Sequence, residues 1–134
     1  MIGYLGFQLF ELLITIVIIS LLTVISVPLY TQYLTTARRL EAATVLSKLA
    51  IAMEQYHVEH NTYHGATLAE LNFPGLIGKN HYQLAIRDTS SENFLLIAIP
   101  LDNQAKNDTL CRSLTLNANG EKGMTGTGQI DACW

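Results

Sequence analysis

The chain is 134 residues long, 49% of them hydrophobic and 14% charged, with a net charge of −3. That length holds one small domain once about 30 residues are set aside for an apolar N-terminal segment, and the acidic balance supplies no basic footprint for nucleic acid. No nucleophile elbow, phosphate loop or paired-carboxylate arrangement can be placed, so no catalytic residue, no enzyme activity and no cofactor is expected.

From the N-terminus to Ala37 the single charged residue is Glu11. As a helix, the run from Phe7 to Pro28 would rise about 33 Å, enough to cross a bilayer core. A secretory signal peptide fits less well, because no charged n-region precedes the run and no small-residue cleavage site follows it. An ionised carboxylate at mid-membrane depth costs roughly 2.5–3.5 kcal/mol, so Glu11 requires a proton or a partner. Pro28 removes a helix hydrogen bond and is expected to bend the helix. Arg38 and Arg39 stand beyond the apolar run, which by the positive-inside rule would leave the C-terminal part in the cytoplasm. The expectation adopted here is that the start is incomplete or a basic leader is missing.

Past Tyr30 the polarity rises while the helical pattern continues. Leu46, Leu49, Met53, Tyr56 and His60 follow steps of three and four, with Leu40, Ala43 and Ala50 assigned to the same side. A single helix is predicted from about Phe7 to about His60, closed by Asn61 as a left-handed residue. His57, His60 and His64 recur at helical spacing, but no Cys or acidic partner converges on them, so no metal site is expected. Residues 61–80 read as a connecting loop with a short helical candidate at 67–71.

Tyr82, Leu84 and Ile86 alternate with Gln83, Ala85 and Arg87, the pattern of a strand with one covered face. Residues 88–92 make a polar turn, Phe94 to Ile99 a second strand ended by Pro100, and Ser113 to Asn117 a third. Asn119-Gly120 signals a hairpin into a last strand at 121–125. The predicted class is α+β: a long N-terminal helix, hydrophobic first and amphipathic second, packed on an antiparallel sheet. Cys111 and Cys133 are an even pair, which in an exported chain favours a disulfide over two free thiols. Asp102, Asp108 and Asp131 lack the spacing of a calcium loop.

The stretch Gly6-Phe7-Gln8-Leu9-Phe10-Glu11, followed by its uncharged run to Pro28, resembles the N-terminal signature of type IV pilins and the related type II secretion pseudopilins. The resemblance implies a leader at residues 1–6, cleavage after Gly6 by a prepilin peptidase, and N-methylation of Phe7. It makes Glu11 the fifth residue of the processed chain, paired with the N-terminal amine of an adjacent subunit, and Pro28 the kink. It implies a transmembrane and filament-core segment at 7–30, an exported pilin domain at 31–134 and a C-terminal disulfide loop. The segment from Asn103 to Cys111, with Leu114-Thr115-Leu116, Asn119-Gly120 and Cys133-Trp134, looks like the end of a PilE-type minor pilin.

The function expected from the resemblance is a type IV pilus subunit for motility, adhesion or DNA uptake. Its partners would be other pilins, the prepilin peptidase, the assembly platform and the inner membrane. A type II secretion pseudopilin and a pilus-displayed DNA- or surface-binding module remain alternatives. For the latter, salt-dependent DNA binding through Lys106, Arg112 and Lys122 is the distinguishing property. A plain single-pass anchor would show no processing at Gly6.

Overall fold

A computed structural model describes residues 9–134; the cleavage junction at Gly6 and Phe7 lies outside the described residues. Helix α1 runs Leu9–His60, unbroken through Pro28. The predicted stop is observed: Asn61 adopts φ 56° and its N–H donates to the His57 carbonyl at 2.7 Å, as a left-handed C-terminal residue should.

The chain divides into two compact units, one ending at Tyr33 and the other running from Leu34 to Trp134. In the first, every described residue from Leu9 to Tyr33 is exposed, and α1 is long and apolar enough there to cross a membrane. Its described serine and threonine hydroxyls do not stand as free polar groups. Thr15, Ser20, Thr23, Ser26 and Thr31 donate to carbonyls three or four residues earlier, which satisfies them without water.

The second unit contains a five-stranded sheet in the order β1-β2-β3-β4-β5, with every neighbouring pair antiparallel. The strands are β1 Leu76–Ile77, β2 Tyr82–Arg87, β3 Leu95–Pro100, β4 Leu114–Asn117 and β5 Lys122–Met124. The four longer predicted strands are present with ends shifted by at most a residue or two. Because side chains alternate across a strand, Tyr82, Leu84, Leu96, Ala98, Leu114 and Leu116 share the covered face. They are buried in one core with Ala42, Ala43, Leu46, Leu49 and Met53 of α1. The β4–β5 turn is set by Asn117, whose Oδ1 accepts from the Asn119 and Glu121 N–H groups while Gly120 takes φ 77°.

Two details of the predicted stripe are corrected. Leu40 is 52% exposed, because it precedes Leu46 by six residues, about 240° around the helix. His60 lies on the right side but beyond the end of the core, and is exposed. The helical candidate at 67–71 is a pair of turns, in which Leu71 N–H reaches the Thr67 carbonyl and Asn72 N–H that of Ala69. Three short elements were not anticipated: β1, α2 at Asp102–Asn107 and α3 at Ile130–Cys133. Only Gln104 of α2 is buried, so α2 carries no apolar stripe for periodicity to detect.

Candidate functional site

Three regions carry the residues of interest. Glu11 is exposed in the first turn of α1, flanked by exposed Phe10 and Leu12. Pro28 lies seventeen residues further along the same exposed run, within α1.

The second region was invisible to motif reading because its members are far apart in sequence. Arg39 Nη1 is 2.6 Å from Asp108 Oδ1, an ion pair whose side chains are 11% and 3% exposed. Tyr82 Oη donates to Asp108 Oδ2 at 3.2 Å. Gln104 Nε2 donates to the Thr35 carbonyl at 3.0 Å and to Tyr82 Oη at 2.9 Å. Burial first, then the neighbouring Asp108 carboxylate, pushes the Tyr82 phenol above its usual range, so the hydroxyl stays a donor. This clamp ties α1 to β2 and to α2. It accounts for Asp108, buried but partnered, and for Arg39, whose charge is neutralised within the fold.

The third region is the C-terminal segment. Cys111 and Cys133 form a disulfide that closes a separation of 22 residues. The loop is cross-braced by Gly126 N–H to the Cys111 carbonyl at 3.1 Å and Gly128 N–H to the Leu110 carbonyl at 2.8 Å. A Cβ at Gly126 would collide with the Leu110 carbonyl, so that close approach requires glycine. Trp134 donates its Nε1–H to the Gly123 carbonyl at 2.9 Å, and Lys122 Nζ sits 5.2 Å from the Trp134 ring centroid. Arg112, exposed at φ 54°, directly follows Cys111. Two exposed cations thus flank the disulfide, while the third, Lys106, is exposed in the last turn of α2.

The three histidines do not converge. His57 stacks on Tyr63 at 4.4 Å between centroids and His60 on Tyr56 at 4.1 Å. Among the described residues no group of His, Cys, Asp and Glu is placed to hold a metal ion.

Solved structures place this architecture. The non-core minor pilin PilV of Neisseria meningitidis superposes with a TM-score of 0.57 at 24% identity, covering 72% of this chain and 92% of that one. A type IV pilin from Shewanella oneidensis superposes with a TM-score of 0.54 at 22% identity, covering 75% and 97%. The fold is therefore the type IV pilin fold. No curated protein sequence matches the chain. The profile of the family described as "Type IV minor pilin ComP, DNA uptake sequence receptor" matches residues 28–115. That is well over half of the chain, and the chain belongs to this family: it is a minor pilin of type IV pili. The match includes Arg39, Tyr82, Gln104, Asp108 and Arg112, and stops before Lys122 and Cys133.

Proposed function

We propose that this minor pilin takes part in DNA uptake, binding DNA through the exposed cations around its disulfide-tied C-terminal segment. The match to a family described by its DNA receptor role carries the reading, and the placement of Arg112 and Lys122 beside Cys111–Cys133 supports it. With a net charge of −3, binding cannot rest on overall charge and needs a local patch. The subunit is a structural and binding component, not an enzyme.

Before assembly the subunit is held in the bacterial inner membrane by residues 7–30, with residues 31–134 in the periplasm. Prepilin peptidase removes residues 1–6, and Phe7 becomes the methylated N-terminus. The assembly platform then moves the subunit into a filament, where Glu11 pairs with the N-terminal amine of a neighbour. Since lipid and neighbouring helices are equally apolar, packing and that ion pair favour the filament more than escape from water does.

The test is DNA binding by the exported domain across a salt series. Arg112→Glu with Lys122→Glu should weaken binding by tenfold or more and reduce the salt slope by about 0.9 per lost phosphate contact. Binding unchanged by that pair, with the domain still folded, would contradict the reading.

A further inference from the structure

The turn joining β1 to β2 is held in an unusual conformation. Gly78, Lys79 and Asn80 have φ of 57°, 54° and 66°, three consecutive left-handed residues, closed by His81 N–H to the Ile77 carbonyl at 3.0 Å. Glycine adopts this freely, but lysine does so at a cost and only where its surroundings fix it. Two restraints do so here. The Ile77–Tyr82 strand pairing closes the loop from one side. Glu41 of α1 lies against Gly78 so closely that a Cβ there would be 2.6 Å from Glu41 Oε2.

The consequence is a small cationic cluster. Lys79 and His81 belong to this one turn, Glu41 lies against Gly78 at its start, and Arg38 stands three residues before Glu41, on the same side of α1. Burial first, then Arg38, disfavours the charged form of His81, with Glu41 opposing. Lys79 is exposed, and Arg38 and His81 are half-buried. Arg39, the next residue along, is committed to Asp108 and contributes no free charge.

Chain order bounds how far Arg38 lies from the apolar run. The apolar exposed run ends with Tyr30 and Tyr33, 63% and 70% exposed, residues of the kind that settle at a membrane interface. Arg38 follows Tyr33 by five residues, which span about 8 Å as helix and no more than about 18 Å fully extended. By chain length alone, Arg38 is within reach of the headgroup layer.

We infer that Arg38, Lys79 and His81 form a site for the phosphate of an anionic phospholipid headgroup, used while the subunit is held in the membrane. The inference rests on the membrane-held state described above and names its lipid partner. The contact holds the β1–β2 turn against the bilayer before assembly and is given up when the subunit leaves. A basic residue beside an anionic membrane contributes roughly fivefold in affinity, so two give an effect large enough to measure and weak enough to release.

The test is hydrogen exchange of the full chain in lipid nanodiscs of phosphatidylcholine alone or with phosphatidylglycerol. Exchange at residues 77–81 should slow several-fold in the phosphatidylglycerol discs, and the slowing should vanish in about 0.5 M salt. It should also vanish in Arg38→Ala with Lys79→Ala, whose core peptides should exchange as in the wild type. It should persist in Lys106→Ala with Arg112→Ala. Equal exchange in both discs, or slowing that survives the loss of Arg38 and Lys79, would overturn the inference. So would protection of the same residues by duplex DNA in phosphatidylcholine discs, which would give the cluster to nucleic acid. A chain that inserts into neither disc would overturn the membrane-held reading and this one with it.

Discussion

At the scale of single residues, Asp108 organises more of the fold than any motif suggested. It takes the Arg39 guanidinium on one oxygen and the Tyr82 hydroxyl on the other, with both charges largely withdrawn from solvent. Removing one partner leaves the other buried and unpaired, so Asp108→Ala should destabilise the unit from Leu34 to Trp134 by about 3–5 kcal/mol. Replacing Arg39 and Asp108 together with apolar residues of similar volume should recover most of that loss. Urea unfolding of the three variants checks both statements. His81 supplies a pH dependence. Burial, then Arg38, hold its folded-state pKa below the ordinary value of 6.5, against the opposing pull of Glu41. Its contribution to stability is therefore complete above pH 6.5 and is lost as pH falls from there through the folded value. The domain should lose stability on mild acidification, and His81→Gln should lose less; unfolding midpoints at neutral and mildly acid pH decide it.

At the scale of elements, what the sequence revealed depended on whether a segment is organised by apolar periodicity. The run of α1 to His60 and its end at Asn61 were legible because repeat and stop signal coincide. The four longer strands were legible from alternation and from Asn119-Gly120. Helix α2 was not, because the residue it buries is Gln104, and the clamp it joins unites residues up to 73 apart, from Thr35 to Asp108. Strand β1 is two residues long and exists through its pairing with β2, a tertiary cause with no local signature. The disulfide was inferable from an even pair of cysteines, but not the bracing around it, which needs Gly126 where Leu110 passes. Opening the disulfide by Cys111→Ser with Cys133→Ser should cost about 3 kcal/mol, the chain-entropy value for a loop of this length. Gly126→Ala should also destabilise with the disulfide intact, and comparison of their unfolding midpoints separates the two devices.

At the scale of the whole molecule, the two units divide the labour of a filament subunit. The unit from Leu34 to Trp134 has its own core, clamp and disulfide, whereas every described residue of the first, Glu11 included, is exposed. That is the arrangement expected when the missing partners are lipid at one stage and other subunits at the next. Glu11→Ala should leave the unit from Leu34 to Trp134 folded and abolish incorporation, read as loss of the variant from sheared filaments while its amount in the membrane is unchanged. The roles expected of Gly6, Phe7 and Glu11 come only from the resemblance, since a Gly-Phe junction and a lone glutamate have no meaning as isolated local structure.

The most direct test of the account is the intact and N-terminal peptide mass of the protein recovered from sheared filaments of its native cells. The account predicts a chain that begins at N-methylated Phe7, with Cys111 joined to Cys133. A protein that keeps residues 1–6 and is found in the membrane but never in filaments would contradict it.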